Sequence, residues 1–334
     1  MQSRKLGGSE LQVSPIIFGA WAISGWLWGG TDENESIEAI HAAIDNGITT
    51  IDTAAVYGMG YSEELVGKAI KGKRDKLIIA TKCGNRWDSE EGSGAWTTKG
   101  NDGRDYTIRR NSKPDSIVYE CEQSLNRLGI DVIDLYQIHR PDTDTPLDDS
   151  WRAMEKLRQQ GKVRVIGVSN YDIEQLRQIN AVAPVASIQP PYSLIQRDIE
   201  KDILPFCREH KIGIICYSPL ERGLLSGSVT PQRTFSQGDH RQSHPYFTIE
   251  NRRRVADALQ KIKPIADRHH ANLAQLVINW TTRVPGITAA IVGARNAEQS
   301  ENNAKSLLFT LTSDELGDIR AAFDETSATL TPKE

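Results

Sequence analysis

Residues 132–169 read VIDLYQIHRPDTDTPLDDSWRAMEKLRQQGKVRVIGVS, and this stretch contains the unit from which the fold is predicted. Short apolar runs at 132–139 and 163–169 are typical of buried strands. Between them, residues 146–160 place apolar side chains at helical spacing, namely Leu147, Trp151, Met154 and Leu157. A strand, a helix and a second strand in this order predict a parallel βαβ unit.

The same alternation continues in both directions along the chain. The predicted strands are residues 16–18, 48–52, 77–82, 132–139, 163–169, 186–189, 213–217 and 289–292. The helices predicted to follow them are residues 32–46, 62–71, 114–128, 146–160, 173–179, 199–210, 251–270 and 297–306, with Pro264 expected to kink or split the seventh. Eight such units predict an α/β fold, a closed (β/α)8 TIM barrel.

Several segments lie outside the eight units. Residues 4–6 and 11–13 predict an N-terminal β-hairpin cap, and residues 272–282 and 313–323 predict extra helices. Two long polar, glycine-rich segments, 83–113 and 218–250, are expected to be loops without regular structure. No linker or composition shift divides the chain, so residues 1–334 are predicted to form one domain.

Composition excludes several classes of protein. A net charge of −4 gives no basis for binding nucleic acid or an anionic membrane surface. The most apolar segment, 16–28, is too short to span a bilayer. The four cysteines have no CxxC pair, and His240 and His244 lack an acidic ligand pair, so we expect a cytoplasmic protein without a metal site.

Polar side chains stand at the ends of successive predicted strands, where barrel active sites form. They are Asp52, Lys82, His139, Ser169 with Asn170, Gln189 and Tyr217; Gly293 ends the eighth strand. Tyr57 lies five residues beyond Asp52 in the following loop. Polar groups at so many strand ends predict an active site rather than a packed core.

The local sequences at these positions resemble the aldo-keto reductase family, most closely its bacterial reductases similar to general stress protein 69. The matching segments are IDTAAVYG at 51–58 with SEE at 62–64, IATK at 79–82, DLYQIH at 134–139, IGVSN at 166–170, IQPPY at 188–192 and YSPL at 217–220. The resemblance covers essentially the whole chain. It implies NADPH-dependent reduction of a small-molecule aldehyde or ketone.

The resemblance also implies four catalytic residues, and elementary chemistry supports their types. Tyr57 would be the proton donor, although a phenol with a pKa near ~10 is a poor acid at neutral pH. Lys82 would lower that pKa, because a nearby cation favours the phenolate. Asp52 would hold Lys82, and His139 would orient the carbonyl and donate to its developing negative oxygen.

The residues expected to bind NADPH follow from the same resemblance. Ser169, Asn170 and Gln189 would hold the carboxamide, and Tyr217 would stack on the nicotinamide. Arg295, in the turn before residues 297–306, would bind a 2′-phosphate beside a helix N-terminus. The remaining candidates are Ala20, Trp21, Asp52, Ser218, Leu220, Arg222, Gly223, Arg241, Gly293, Gln299 and Asn303.

The substrate pocket is expected to include Trp26, Trp87 and Arg140. Arg140 occupies a position where similar family members often have Trp, which changes the shape and polarity of the pocket. Two other functions stay open: an NADPH-binding sensor or regulatory subunit, and an NAD-linked alcohol or polyol dehydrogenase.

Overall fold

The computed structural model describes residues 1–330. In chain order its strands are β1 (Arg4–Lys5), β2 (Gln12–Val13), β3 (Ile16–Gly19), β4 (Thr50–Asp52), β5 (Ile78–Cys83), β6 (Asn85–Arg86), β7 (Ser93–Lys99), β8 (Asp105–Arg110), β9 (Ile133–Ile138), β10 (Val163–Ser169), β11 (Ser187–Gln189), β12 (Gly213–Cys216) and β13 (Ile287–Gly293). Its α-helices are α1 (Glu33–Asp45), α2 (Tyr61–Ile70), α3 (Pro114–Leu128), α4 (Leu147–Gln159), α5 (Ile173–Val182), α6 (Ile203–His210), α7 (Ile249–Arg268), α8 (Leu273–Arg283), α9 (Ala297–Lys305), α10 (Ser313–Ala321) and α11 (Asp324–Thr329).

Eight strands close into a barrel in the order β3-β4-β5-β9-β10-β11-β12-β13, and β13 pairs with β3. Every neighbouring pair is parallel. The predicted (β/α)8 barrel is therefore confirmed. Parallel strands bring all their carboxyl ends to one rim, which is the mouth at which a barrel builds its active site.

The barrel interior is apolar at its amino end. The hairpin of β1 and β2 closes that end with Leu6, Leu11 and Val13, which pack against inward residues of five strands: Ile17, Ala80, Leu135, Ile215, Ala289 and Ile291. Gly7, at a φ of +55°, must lack a side chain, because a Cβ there would lie 2.4 Å from the carbonyl oxygen of Lys211.

A second, larger core lies between the barrel and its helices. Phe18, Ile51 and Ile79 point outward from the strands into this layer. They meet apolar helix residues such as Ile40 and Leu65. Because successive strand residues face opposite sides, the residues between them face the interior, and those at the carboxyl end line the mouth.

The expectation that residues 83–113 lack regular structure is wrong. Strands β6, β7 and β8 form an antiparallel sheet in the order β6-β8-β7. Its two longer strands are joined by a turn at residues 100–104, and the sheet is tied to the rim by bonds from Trp26 Nε1 to Thr98 Oγ1 and from Asn101 Nδ2 to the Ser24 carbonyl. The hydrogen bonds of this sheet join residues that are distant in the chain. The polar composition, from which a loop was predicted, does not reveal such pairing.

The helical predictions need smaller corrections. Helix α7 is not split at Pro264: it runs as one helix from Ile249 to Arg268, although proline cannot donate a backbone N–H at that position. Helix α6 begins at Ile203, after a short 3₁₀ turn, and α11 was not predicted. Residues 218–248 contain no strand; they form three short 3₁₀ helices joined by irregular backbone, and α7 begins at Ile249.

Candidate active site

Four strands supply the centre of the site at the carboxyl mouth. Asp52 ends β4, Lys82 lies near the end of β5, His139 follows β9 and Gln189 ends β11. Lys82 and Asp52 are 1% and 2% exposed. The structure thus brings together residues that are far apart in the chain, as the strand ends predicted.

Lys82 connects Asp52 to Tyr57. Its Nζ donates to Asp52 Oδ1 at 2.6 Å and to the Thr53 carbonyl at 2.8 Å. The same Nζ lies 3.5 Å from the Tyr57 hydroxyl oxygen and 5.0 Å from the ring centroid. A buried ammonium is thereby held against the phenol by a carboxylate and a backbone carbonyl.

The electrostatics of this group differ from expectation in one respect. Burial disfavours the charged amine, but the charge and hydrogen bond of Asp52 raise the pKa of Lys82 above its ordinary value. Burial raises the pKa of Tyr57, and the Lys82 charge offsets only part of that rise. Lys82 therefore lowers the pKa of Tyr57 as expected, but desolvation of the phenolate outweighs this effect, so the net change is a rise.

His139 contacts Tyr57 edge to face, with ring centroids 5.7 Å apart. Burial, with the charges of Lys82 and Arg140, holds the pKa of His139 well below its ordinary value. The imidazole is therefore neutral at neutral pH. Its backbone is fixed by a bond from its N–H to the Cys83 carbonyl at 2.9 Å and by Asn170 Nδ2 donating to its carbonyl at 3.0 Å.

Sequence reasoning missed Gln137. Gln189 Nε2 donates to Asp52 Oδ2 at 2.8 Å and to Gln137 Oε1 at 3.3 Å, and Gln137 Nε2 lies 3.5 Å from the same carboxylate oxygen. Gln137 precedes His139 by two residues on β9, so the two face the same side of the strand. That spacing was the signal that could have identified it.

The predicted carboxamide-binding residues form a second polar group beside the first. Asn170 adopts a left-handed conformation at a φ of 61°. Its Oδ1 accepts from the Tyr217 hydroxyl at 2.8 Å, and its Nδ2 donates to Ser169 Oγ at 2.9 Å. Gln189, in contrast, directs its amide nitrogen at Asp52 and Gln137.

The loop after β12 has the backbone of a binding loop. Ser218, Arg222 and Gly223 all have positive φ, and for the two non-glycine residues this is a strained conformation of the kind that clusters at functional sites. Leu220 precedes a 3₁₀ turn in this loop, and Arg222 lies 3.8 Å from Glu221. Arg241 is already paired with Asp239 at 2.6 Å and packed against the rings of Trp28 and Phe235, so its charge is compensated.

The turn before α9 contains the residues predicted to bind the adenosine side of the cofactor. Arg295 donates to the backbone carbonyls of Trp28 at 3.3 Å and Gly30 at 2.7 Å. Gln299 Oε1 accepts from the Arg295 N–H, and Asn303 Nδ2 donates to the Gly293 carbonyl. Because carbonyl oxygens are uncharged, Arg295 keeps its full positive charge at this helix N-terminus.

Aromatic rings join the two sides of the mouth. Ala20 is buried beside Asp52, donating its N–H to the Asp52 carbonyl, and Trp21 stacks near Tyr57 at 6.1 Å. His240 packs against Trp21 and Trp28 and donates from Nδ1 to the Leu27 carbonyl. This contact holds the 218–250 loop against the segment that precedes α1.

These residues fit a nicotinamide dinucleotide. Within residues 1–330, four buried atoms near the mouth have no hydrogen-bond partner: Trp21 Nε1, Trp28 Nε1, Arg222 Nε and His240 Nε2. Unsatisfied buried polar groups are rare and commonly mark a ligand or water position. Amides and hydroxyls suit a carboxamide, and arginines beside a helix N-terminus suit phosphates.

The predicted pocket residues lie around Tyr57. Trp26 and Trp87 pack in one apolar cluster with Ala54, Val56 and Tyr57. A cavity of about 720 Å³ adjoins the residues after Tyr57 and is bounded by the turn between β7 and β8 and by the 218–250 loop. Arg140 is exposed at the rim, one residue beyond His139.

A parallel barrel with a buried Asp–Lys pair against a tyrosine at its carboxyl mouth defines a class of barrel oxidoreductase, and comparison with known proteins agrees. The model of the aldo/keto reductase family matches residues 15–324, so the chain belongs to that family. It is 40% identical to aldo-keto reductase YhdN of Bacillus subtilis (strain 168) over 329 residues, which cover 98% of this chain and 95% of that protein.

Two further relatives extend the comparison. The NADH-specific methylglyoxal reductase of Escherichia coli (strain K12) is 34% identical over 93% of this chain and 95% of its own length. The solved structure of the glycerol dehydrogenase AKR11B4 from Gluconobacter oxydans superimposes with a TM-score of 0.87 at 36% identity, covering 100% of this chain and 98% of that one. The chain is an oxidoreductase that acts on CH–OH or C=O groups of small molecules with a nicotinamide cofactor.

None of the helices within residues 1–330 has the length and apolar character needed to cross a membrane.

Proposed function

We propose that the protein reduces aldehydes and ketones to alcohols with NADPH, and that Tyr57 is the proton donor. The observation that carries this proposal is the position of Lys82 Nζ, 2.6 Å from Asp52 Oδ1 and 3.5 Å from the Tyr57 hydroxyl, at the carboxyl mouth of the barrel. The phenol lies within reach of that ammonium, and its raised pKa keeps it protonated at neutral pH.

When bound, the cofactor supplies a hydride for the carbonyl carbon. Tyr57 donates its phenolic proton to the carbonyl oxygen as negative charge develops there. Lys82 then stabilises the phenolate, and Asp52 keeps Lys82 charged and in place. His139, neutral beside Tyr57, orients the carbonyl and donates a second hydrogen bond to its oxygen.

The preference for NADPH is supported by Arg295. Its guanidinium stands at the N-terminus of α9 and has no acidic partner among residues 1–330, so a 2′-phosphate there would gain a charge-assisted contact. Ser169, Asn170, Gln189 and Tyr217 would hold the nicotinamide end. Ser218, Leu220, Arg222, Gly223 and Gly293 would surround the pyrophosphate, with Gln299 and Asn303 at the adenine.

A second candidate is an NAD-linked dehydrogenase of polyols or other alcohols. Two relatives favour it, since one is an NADH-specific reductase and the other is a glycerol dehydrogenase. The same four catalytic residues would catalyse the oxidation of an alcohol, with Tyr57 accepting the proton of its hydroxyl group. The sensor or regulatory alternative receives no comparable support from these relatives.

A substrate panel tests the proposal. Aldehydes, ketones, alcohols and polyols are offered with each of the four nicotinamide cofactors, and the absorbance of the reduced nicotinamide is followed. Multiple turnovers of an aldehyde with NADPH, faster than with NADH, are expected. Faster oxidation of polyols with NAD⁺ would favour the second candidate, and cofactor binding without turnover would favour a sensor.

We further propose one domain over 1–334, of which residues 331–334 lie outside the described part, and a cytosolic location. The closed barrel with its packed helices supports the first. The four cysteines, all buried and unpaired, support the second, because disulfides are rare in that compartment.

A further inference from the structure

Arg140 occupies an unusual position at the mouth. It directly follows His139 at the carboxyl end of β9, and its side chain is exposed. Within residues 1–330 its guanidinium makes no hydrogen bond or ion pair. Asp142, two residues further on, accepts from the Ser93 hydroxyl, the Ser112 N–H and the Thr145 hydroxyl, so its carboxylate is already satisfied.

The charge of Arg140 acts on the reaction centre. Burial raises the pKa of both Tyr57 and Tyr217, and the Arg140 charge works against that rise in each. Burial lowers the pKa of His139, and Arg140 adds to that fall. The position of Arg140 agrees with these directions, because it directly follows His139, whose ring lies edge to face against that of Tyr57.

Four other cations at the mouth already have partners. Lys82 is paired with Asp52 at 2.6 Å, and Arg241 with Asp239 at 2.6 Å. Arg222 lies 3.8 Å from Glu221, and Arg295 donates to two backbone carbonyls. Among these five residues, Arg140 alone has neither an anionic partner nor a hydrogen-bond acceptor. Its guanidinium N–H groups, next to His139, are therefore available to bind a ligand.

We infer that Arg140 is a specificity-determining residue that binds a carboxylate on the substrate, so that the enzyme prefers carbonyl compounds with an anionic group near the aldehyde or ketone. The inference rests on the proposed carbonyl reduction at Tyr57. A planar guanidinium matches a carboxylate with two parallel hydrogen bonds, whereas an indole at this position would offer an apolar wall. The anion takes no part in the chemistry and is released unchanged with the alcohol.

Matched aldehydes test the inference. The substrates are 3- and 4-carboxybenzaldehyde and the corresponding neutral 3- and 4-formylbenzamides, whose two ring positions sample the distance to Arg140. We expect kcat/KM of the wild type to be at least about tenfold higher for an acid than for its amide. Intrinsic reactivity cannot explain such a preference, because a carboxamide withdraws electrons from the aldehyde more strongly than a carboxylate does.

Arg140→Gln should lower the ratio of kcat/KM for the preferred acid to kcat/KM for its amide by roughly 10- to 100-fold. Arg140→Lys should recover only part of the preference for the acid, because an ammonium keeps the charge but cannot form two parallel hydrogen bonds to a carboxylate. Arg253→Gln is the matched control: Arg253 is exposed on α7, and its loss changes the net charge equally. An acid preference that survives in Arg140→Gln would overturn the inference.

A binding measurement separates this inference from the proposed function. The alcohols 4-(hydroxymethyl)benzoate and 4-(hydroxymethyl)benzamide are titrated into the enzyme with NADPH, with which an alcohol cannot react, and cofactor fluorescence is followed. Tighter binding of the benzoate in the wild type, lost in Arg140→Gln, supports Arg140 even if no aldehyde is turned over. Equal binding of both alcohols, with turnover intact, would reject Arg140 and leave the reductase standing.

Discussion

Asp52 Oδ1 and Lys82 Nζ lie 2.6 Å apart, and their side chains are 3% and 0% exposed. An ion pair so fully removed from water is costly to assemble, and removing one partner leaves a buried charge without compensation. Both residues also bind groups of the site, since Asp52 accepts from Gln189 and Lys82 reaches Tyr57. The positions of Gln189 and Tyr57 therefore both depend on the contact between Asp52 and Lys82.

Replacing Lys82 and replacing Asp52 should have different effects on kcat and on the free energy of unfolding. Lys82→Met removes the charge that stabilises the phenolate, so kcat should fall by about 10²- to 10⁴-fold. Asp52→Asn leaves the buried ammonium without its carboxylate, so a smaller loss of kcat is expected with a loss of about 3–5 kcal/mol in the free energy of unfolding. Steady-state kinetics and urea unfolding measure both. A Lys82→Met enzyme in which only KM changes would contradict the assigned role.

Tyr57→Phe should retain cofactor binding and lose most turnover. The ring and its packing stay, and only the proton donor is removed, so a loss of about 10²- to 10⁴-fold in kcat is expected. Fluorescence titration with NADPH and steady-state rates provide the comparison. Tyr119→Phe is the control, since Tyr119 is exposed and its hydroxyl donates to Asp88, away from the mouth. Turnover near the wild-type rate would remove Tyr57 from the acid role.

The pH profile of reduction should be flat through neutrality. An acid acts below its pKa, and burial raises the pKa of Tyr57, so the alkaline fall should begin above roughly pH 10. His139 is needed neutral, and its depressed pKa puts the acidic fall below roughly pH 6.5. Because Arg140 lowers both pKa values, Arg140→Gln should move both limbs upward. Profiles of kcat/KM with a neutral aldehyde measure this, and a fall near pH 8 would contradict it.

Cofactor choice should depend on Arg295. A charge-assisted contact with a 2′-phosphate contributes roughly 1.5–3 kcal/mol, so Arg295→Ala should weaken NADPH by about one to two decades. NADH affinity should change little, and turnover at saturation should be nearly unaffected. Arg295 also holds the carbonyls of Trp28 and Gly30, so equal weakening of both cofactors would indicate a loosened segment rather than a lost phosphate contact.

Hydrogen exchange should distinguish the two long segments. Residues 85–110 contain a hydrogen-bonded antiparallel sheet and should be protected with or without cofactor. Residues 219–245 contain only short 3₁₀ helices and lie over the proposed binding groove, so their protection should rise when NADPH binds. Equal protection of 219–245 in both states would show that cofactor binding does not order this loop.

Regular elements with a local signal were predictable from the sequence. Helix α3 and strand β10 begin and end where the pattern placed them, because helical spacing and apolar runs are properties of neighbouring residues. The sheet of β6, β7 and β8 was not predictable in this way, since its ladder pairs Trp96 with Ile108 across a turn. A polar, glycine-rich composition suits such a hairpin as well as a loop.

The sequence by itself determined which side chains stand at the barrel mouth, because strand alternation and parallel closure follow from local pattern and place Asp52, Lys82 and His139 at one rim. Only the tertiary structure decided how those groups act on one another. The contact of Gln137 and Gln189 with Asp52, the free guanidinium of Arg140 and the net rise in the pKa of Tyr57 each depend on distances and burial created by closing the barrel. Electrostatic interactions weaken with the distance between the groups and strengthen with their burial. Neither the distances nor the burial can be read from the sequence.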